Sequence, residues 1–259
     1  MPKGLNGKIN FGIFLHETVL LAEVLLPFSL YWFAPGDFPG HLKGMIMQVA
    51  ALYAGKPAPL GPRKALSAIC KQPAYFLTVH QDRTDEDTQA NKRLHGGPEK
   101  VLHQYSLAGY ELIKQHYPAL AEQAIAGSIG ENLTVEGMTD ENVMIGDVYA
   151  FGEVIVQVGA PRAPCNKINH RFNTPNLDRF TGNHGITGWY YRVLQTGIIN
   201  TGDSVSLESR PAQTVSVGEL MRSVYNPDYF ARASDYVGLE VLDDEWRGKC
   251  EKAMAKAGR

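Results

Sequence analysis

Short apolar runs, each bounded by glycine, proline or polar residues, recur along the chain from residue 45 onward. Runs of this kind with turn residues on both sides are typical of β-strands. Their regular spacing predicts a β-barrel-like or sandwich core, so the expected fold class is mainly β. The predicted strands cover residues 48–53, 65–69, 74–79, 153–158, 188–194 and 204–207.

Apolar residues at helical spacing predict helices between and after these strands. Residues 106–116 carry such a stripe, with Ser106 as the N-cap and Pro118 as the stop. After Pro211 the composition becomes helical, which predicts a small helical C-terminal subdomain. The remaining predicted helices cover residues 176–180, 217–225, 228–234 and 243–256.

These patterns divide the chain into three parts. Residues 1–44 form an apolar N-terminal extension, residues 45–210 a β-barrel domain, and residues 211–259 the helical C-terminal subdomain. We find no internal repeat and no low-complexity tract in the sequence.

The N-terminal extension contains a strongly apolar run over residues 11–33. Its length would allow a membrane span. However, Glu17, Glu23 and Pro27 interrupt it, and acidic groups are costly in the middle of a bilayer. An interfacial or membrane anchor is therefore one interpretation of this run.

Two other interpretations of the extension stay open. Lys3 and Lys8 before an apolar run resemble a signal peptide, although no small-x-small cleavage site follows. Alternatively, translation begins at Met45 or Met47, where the orderly pattern starts. We rank the mistaken start first, the anchor second and the signal peptide last.

Composition and charge are those of an ordinary globular protein, with 44% hydrophobic and 20% charged residues and a net charge of -2. This balance gives no general attraction to nucleic acid or acidic lipid, so we expect neither as a partner. The three cysteines, Cys70, Cys165 and Cys250, are odd in number and lack metal-ligand spacing. A disulfide framework or structural zinc site is therefore not expected, and a reducing cytoplasm fits best.

Cys165 stands out because of the loop that carries it. Two prolines stiffen residues 161–167, which read Pro-Arg-Ala-Pro-Cys-Asn-Lys, and bar a helix through them. Arg162 and Lys167 lie close by, with Arg171 a little further on. Nearby cations favour the thiolate, which suits attack on an electrophile or binding of a soft metal. The alternative is a small buried hydrophobe, which the charge and the fixed loop disfavour here.

Four cations could form an anion pocket, since guanidinium pairs well with phosphate. They are Arg162, Lys167, Arg171 and Arg192, and for any one of them solvated surface charge is the alternative. His95 precedes two glycines in a tight turn that could present it to a ligand, although a lone turn histidine is more often structural.

Two further stretches bear on the site. Trp189, Tyr190 and Tyr191 could stack on a planar ligand, although at least one of them should pack in the core of a strand. Residues 82–92 are polar and acidic and predict a solvated loop. The usual dinucleotide, nucleoside triphosphate, zinc-protease and serine-hydrolase motifs do not occur.

Five segments together resemble a known family. They are HGGPEKVLHQY, IGENLTVEG, IGD, PRAPCNK and GWYYRV. They resemble the MOSC domain of the molybdenum cofactor sulfurase C-terminal type, in the YiiM-like branch of 6-hydroxylaminopurine-resistance proteins. The resemblance runs from about residue 48 to the C-terminus. It departs at residues 84–87, Thr-Asp-Glu-Asp, where relatives often carry Gly-Asp.

The resemblance implies a β-barrel-like core with peripheral helices, and it implies a cofactor. This is the molybdenum cofactor, a pyranopterin dithiolene that carries a phosphate, with Cys165 as the catalytic thiolate on the molybdenum. Pyridoxal phosphate binding is a further family-level implication. The residues expected to bind the cofactor are His95, Asn132, Arg162, Lys167, Arg171 and Arg192.

The YiiM-like resemblance also implies an activity, the reduction of N-hydroxylated bases such as 6-hydroxylaminopurine to the amine. A small redox protein is the expected electron donor, since no flavin, haem or iron–sulfur motif is visible in the sequence, and a homodimer is the expected assembly. Two alternatives stay open. Cys165 could serve a cofactor or sulfur carrier without turnover of its own, or residues 11–33 could tether a binding protein to a membrane.

Overall fold

A computed structural model of the chain describes residues 47–90 and 96–258. The predicted N-terminal extension, Met45 and His95 lie outside the described residues. Among the described residues, no helix combines the length and the apolar character that a membrane crossing needs.

The described residues form twelve strands in three sheets. The strands are β1 (Met47–Ala54), β2 (Ala58–Leu60), β3 (Ala65–Ser67), β4 (Gln72–Ala74), β5 (Phe76–Val79), β6 (Leu102–Gln104), β7 (Leu133–Val135), β8 (Val148–Phe151), β9 (Val154–Pro161), β10 (Trp189–Gln195), β11 (Gly197–Asn200) and β12 (Ser204–Ser209). Two pairs, β2 with β3 and β5 with β11, form separate ribbons.

Seven strands close into a barrel. Their order is β12, β8, β9, β10, β6, β7 and β1, and the ring closes where Met47 of β1 pairs with Val205 of β12. Neighbours in the ring are antiparallel except β6 and β7, and β4 pairs with β1 outside the ring. The predicted β-barrel-like core is therefore confirmed over a sandwich, because a sandwich would leave two open sheets.

The barrel interior follows from the two-residue period of its strands. In β9, Val154, Val156 and Val158 alternate with less buried residues and point into the core. In β10, Trp189 and Tyr191 belong to the same core, while Tyr190 points the other way. The prediction that at least one aromatic residue of this strand is core is thus confirmed.

Helices cover the barrel, and their ends carry the expected caps. The Ser106 hydroxyl accepts a hydrogen bond from the Gly109 amide at 3.1 Å, which confirms the predicted N-cap. The helices are α1 (Leu107–His116), α2 (Lys167–Phe172), α3 (Leu177–His184), α4 (Val217–Tyr225), α5 (Ala233–Tyr236) and α6 (Asp244–Ala257), with 3-10 turns at Pro118–Leu120 and Pro227–Arg232.

The C-terminal helices share one hydrophobic cluster with the barrel interior. Met221 of α4 and Trp246 and Cys250 of α6 belong to the same cluster as the inward-facing valines of β9. Cys250 is fully buried there, and burial raises the pKa of its thiol to about 11. It is a core residue, so its Lys-rich surroundings in the sequence do not describe its environment.

Two local expectations were wrong. The predicted strand 74–79 is two strands, because β4 pairs with β1 while β5 pairs with β11, and the exposed Tyr75 lies between them. The predicted apolar stripe of α1 includes Leu107, which is exposed. In both places the choice of partner elements overrides the local pattern.

Gly188 allows β10 to begin where it does. Its φ is +72°, and a Cβ at this position would lie 2.2 Å from the carbonyl oxygen of Gln104 in β6. The Gly188 amide donates to Asp140 at 2.8 Å, and its carbonyl accepts from the Arg162 amide at 2.9 Å. Only glycine fits this close approach between backbones.

We expect Gly188→Ala to lower the free energy of unfolding by more than Gly202→Ala does. Both glycines have positive φ, but a Cβ at Gly202 would meet nothing within 4 Å. The control therefore measures the left-handed backbone alone, about 1–2 kcal/mol, and the excess measures the clash with Gln104. Urea denaturation of both variants and the parent tests this; equal losses would contradict it.

Candidate active site

One cavity of about 420 Å³ lies beside Cys165, and we call it the cysteine cavity. Its walls come from β3, the start of β10, the loop after β9 and the turn before β7. Apolar and cationic side chains line it together. Those used below are Ile69, Lys71, Asp87, Lys100, His103, Asn132, Arg162, Cys165, Lys167 and Tyr190.

Cys165 is placed by the end of β9 and the start of α2. The rigid loop runs from Pro161 to Asn166, and the Cys165 carbonyl accepts a hydrogen bond from the Ile168 amide at 3.0 Å as the helix begins. The residue is half-buried. Cys70 is exposed and Cys250 is in the core, so Cys165 is the one cysteine on the wall of this cavity.

Arg162 brings a buried positive charge to the same wall. The residue is 6% exposed, and its Nη1 is buried without a hydrogen-bond partner among the described atoms. Burial works against the charge, but Cys165 and the hydrogen-bonded Tyr190 raise the pKa of Arg162. A buried N–H donor without an acceptor is expensive in a fold. It therefore points to an anion or polar ligand in the cavity.

Lys71 and Asp87 form a buried ion pair that also lines the cavity, and the sequence pattern does not indicate it. The Asp87 carboxylate also accepts from the Gly55 amide at 2.9 Å. Burial lowers the pKa of Lys71, and Asp87 opposes this shift. The predicted solvated loop over residues 82–92 is thus wrong at Asp87. Its partners are Gly55 after β1 and Lys71 before β4, which lie 32 and 16 residues away in the sequence.

His103 in β6 is a neutral wall residue. Burial, and then the charge of Arg162, hold the pKa of His103 well below its usual value of 6.5. Its Nε2 lies 3.4 Å from the Thr187 carbonyl oxygen, and its ring is 5.3 Å from that of Tyr190. His103 lies inside the segment HGGPEKVLHQY, so the family segment contains the signal for it, although the sequence prediction names only His95 in that segment.

Residues 130–133, Gly-Glu-Asn-Leu, contribute Gly130 and Asn132 to the cavity wall. Gly130 has φ +89°, and a Cβ there would lie 3.0 Å from the Ile69 Cα. The buried carboxylate of Glu131 accepts from the Tyr110 hydroxyl at 2.5 Å and from the Gly127 amide at 2.6 Å. This segment fixes a turn as well as presenting a side chain.

Asn132 lines the cavity, but its amide group already has protein partners. Its Oδ1 accepts from the His103 amide at 3.0 Å, and its Nδ2 donates to the Tyr53 carbonyl at 3.3 Å. These bonds tie β6 and β1 together across the start of β7. Any contact with a ligand must share these atoms.

The other predicted cations are placed unequally. Lys167 lines the cavity and donates to the Ala65 carbonyl at 3.4 Å. Neither Arg171 nor Arg192 lines it. The Arg171 guanidinium lies 5.5 Å from the Phe172 ring centroid, and Arg192 pairs with Glu99 at 3.1 Å. The described part of the expected anion pocket thus contains Arg162 and Lys167 of that group.

Lys100 connects the cavity to the C-terminal helices. Its Nζ lies 5.9 Å from the ring centroid of Tyr190 and 2.8 Å from the Glu245 carboxylate of α6. Burial alone would raise the pKa of Glu245, but hydrogen bonds from Lys100 and Lys249 lower this pKa to about 2. The last helix therefore holds one wall residue of the site.

Known proteins are similar to this chain in sequence and in fold. A profile of the MOSC domain matches residues 91–206. Protein YflK of Bacillus subtilis is 34% identical over 212 residues, which cover 79% of this chain and 93% of that protein. The chain belongs to the MOSC domain family.

Other relatives indicate its place in the family. YiiM of Escherichia coli K12 is 37% identical over 124 residues, 48% of this chain and 55% of YiiM. A protein named reductase from Gibberella moniliformis is 37% identical over 190 residues, 72% of this chain but 33% of its own length. The crystal structure of YiiM from Geobacillus stearothermophilus superposes with a TM-score of 0.64 at 28% identity, covering 80% of this chain and 99% of that one. The chain is a YiiM-like MOSC protein.

Asp140 fixes backbone next to the site through hydrogen bonds. This buried carboxylate accepts from the Ser106 hydroxyl and the Gly188 amide, both at 2.8 Å. Gly188 in turn accepts from the Arg162 amide, so Asp140 helps to fix the backbone that carries Arg162. Burial raises the pKa of Asp140 to about 6, against the hydrogen bonds that lower it.

We expect this raised pKa to make stability fall as pH rises from about 4 to about 6. In that interval the native state binds more protons than the unfolded chain, so deprotonation favours unfolding by up to about 3 kcal/mol. Asp140→Asn cannot titrate and should remove this contribution. In urea denaturation at several pH values, the free energy of unfolding of Asp140→Asn should rise relative to that of the parent between pH 4 and pH 7. A constant difference between the two proteins across this range would contradict the assignment.

If this chain binds the molybdenum cofactor with which MOSC domains are associated, we expect Arg162→Ala and Lys167→Ala to lower molybdenum occupancy by about tenfold at limiting cofactor, because each variant would remove a charge-assisted contact with an anion. The melting temperature without cofactor should change little in Lys167→Ala, whose side chain bonds only a backbone carbonyl, and should fall in Arg162→Ala, because Arg162 is buried and bonds Tyr190. Arg192→Ala is the matched control and should retain the metal. An equal loss in this control would restore Arg192 to the site.

Proposed function

We propose that this protein is a molybdenum-cofactor-dependent reductase of N-hydroxylated bases or related N-hydroxylated compounds. The supporting observation is the pairing, on one cavity wall, of a half-buried cysteine with a buried arginine whose Nη1 lacks an acceptor. A thiolate binds a soft metal, and the guanidinium binds an anionic group of the same cofactor.

The residues present fit the molybdenum cofactor. MOSC domains are associated with this cofactor, which carries soft sulfur ligands and a phosphate. Cys165 offers a soft sulfur ligand, and Arg162 and Lys167 offer donors to oxygen anions at the same cavity. The described residues contain no cluster of three or more His, Cys, Asp and Glu side chains, so Cys165 would be a single protein ligand on a metal held mainly by its cofactor.

When bound, the cofactor supplies the two electrons that break an N–O bond. The balance of that reaction also needs two protons, since the oxygen leaves as water and the nitrogen is left as an amine. Lys71 Nζ holds a proton at the wall of the cavity, and burial makes this proton easier to release. Tyr190 offers an aromatic face at the same wall, where a planar base can stack.

The relatives support the class of activity without specifying the substrate. One is named reductase, and the sequence resemblance to the YiiM-like branch carries the link to N-hydroxylated bases. A small redox protein as electron donor, a homodimer and pyridoxal phosphate binding stay predictions. A phosphate ester is common to both cofactors, so Arg162 and Lys167 would suit either of them.

A carrier function is the second candidate. Cys165 is half-buried rather than sealed, so its sulfur could pass a persulfide or a bound cofactor to a client. The two functions differ in turnover. A carrier would contain cofactor and show no reductase activity with any electron donor.

We expect Cys165→Ser to fold normally and to lose reductase activity by about a hundredfold or more. A hydroxyl does not ionise at neutral pH and is a poor ligand for a soft metal, and even residues around metal ligands change activity by roughly tenfold to a hundredfold. The swap removes almost no volume, so no cavity penalty arises. The measurement is a reductase assay with an artificial electron donor on cofactor-loaded protein, with circular dichroism on the same samples.

Cys70→Ser is the matched control, because Cys70 is exposed and does not line the cavity. It should retain most of the parent activity. Parent-like turnover in Cys165→Ser would contradict the metal-ligand role. Cofactor-loaded parent protein without turnover would favour the carrier.

A further inference from the structure

A second cavity of about 420 Å³ adjoins the cysteine cavity, and we call it the hairpin cavity. It lies between the β2–β3 hairpin and α2. Asn166 and Lys167 line both cavities, so a single ligand could reach from one into the other. The rest of its lining is Leu60, Pro62, Arg63, Ala65 and His170.

The hairpin cavity is cationic without carboxylate partners. Arg63 and His170 form no side-chain hydrogen bond or ion pair with any residue in the described ranges, and Lys167 reaches a backbone carbonyl only. By contrast, Arg210 pairs with Asp147 and Arg222 pairs with Glu141. Uncompensated positive charge around a concave surface attracts anions and selects against neutral or cationic ligands.

The walls of the hairpin cavity are held close together. Gly61 in the hairpin turn has φ +71°, and a Cβ there would lie 2.8 Å from the imidazole ring of His170. The Lys64 amide donates to the Gly61 carbonyl at 3.0 Å and closes the turn that carries Arg63. The turn therefore fixes the backbone of Arg63 against α2, which reduces the ordering needed when a ligand binds.

We propose that the hairpin cavity binds the phosphate of a nucleotide substrate, so that an N-hydroxylated base enters as its nucleoside monophosphate. This inference rests on the proposed function. Arg63 and His170 would hold the phosphate, while the base reaches past Asn166 and Lys167 toward Cys165. Arginine binds phosphate through two parallel N–H donors, and the imidazole adds a third.

The phosphate of the cofactor is the other source of the same chemistry. Arg162 lines the cysteine cavity and offers a buried donor without an acceptor, so the cofactor has an anion partner there other than Arg63. Arg63 lines the hairpin cavity but not the cysteine cavity. The two sources therefore predict different effects of an Arg63 substitution on cofactor content.

The test compares adenosine 5′-monophosphate with adenosine as non-reacting probes, by calorimetry on the cofactor-loaded full chain. We expect the parent protein to bind the monophosphate about tenfold more tightly than the nucleoside. Arg63→Gln should abolish most of that preference, and Arg63→Lys should keep part of it. Arg179→Gln, an arginine of α3 that does not line either cavity, should behave as the parent does. Molybdenum and pterin content should be equal in all four proteins.

Equal affinity of the parent for the two probes would overturn the proposal, and so would an unchanged preference in Arg63→Gln. Loss of molybdenum and pterin in Arg63→Gln would assign the cavity to the cofactor phosphate instead and would also overturn it. The binding readout does not depend on turnover. A monophosphate preference that requires Arg63, in a protein without reductase activity, would therefore contradict only the proposed reaction.

Discussion

The contact between Gly188 and the backbone of β6 fixes the geometry of the site. Gly188 lies against the Gln104 carbonyl in a backbone conformation that suits glycine, and it exchanges hydrogen bonds with Asp140 and Arg162. Arg162 directly follows β9, and Tyr190 is the second residue of β10. This single close approach therefore sets where the buried cation and the aromatic wall face Cys165.

Burial makes the charges around Cys165 informative. A guanidinium nitrogen without an acceptor, inside a protein, raises the free energy of the empty site, and a ligand that satisfies it binds more tightly for that reason. Lys71 is different, because Asp87 already compensates it. The cavity thus combines one donor without an acceptor at Arg162 with the ion pair of Lys71 and Asp87. The open donor points to an anion, and the matched pair can hold a proton.

In this protein the C-terminal helices complete the hydrophobic core of the barrel. The core valines of β9 and the apolar face of α6 belong to one cluster, and Glu245 of α6 positions Lys100 at the cavity. The last helix therefore closes the hydrophobic core and reaches the site. Substitutions in α6 should therefore affect both the packing of the core and the position of Lys100.

Local features could be predicted from the order of residues: strand periodicity, the Ser106 cap and the rigid loop that carries Cys165. These depend on neighbours within a few residues, and the family segments added the expected site. Tertiary structure alone decided that Asp87 is buried against Lys71, that Arg192 pairs with Glu99, and that His103 is neutral. Burial and charge pairing depend on residues far apart in the chain, and no local pattern encodes which side chains the barrel brings together.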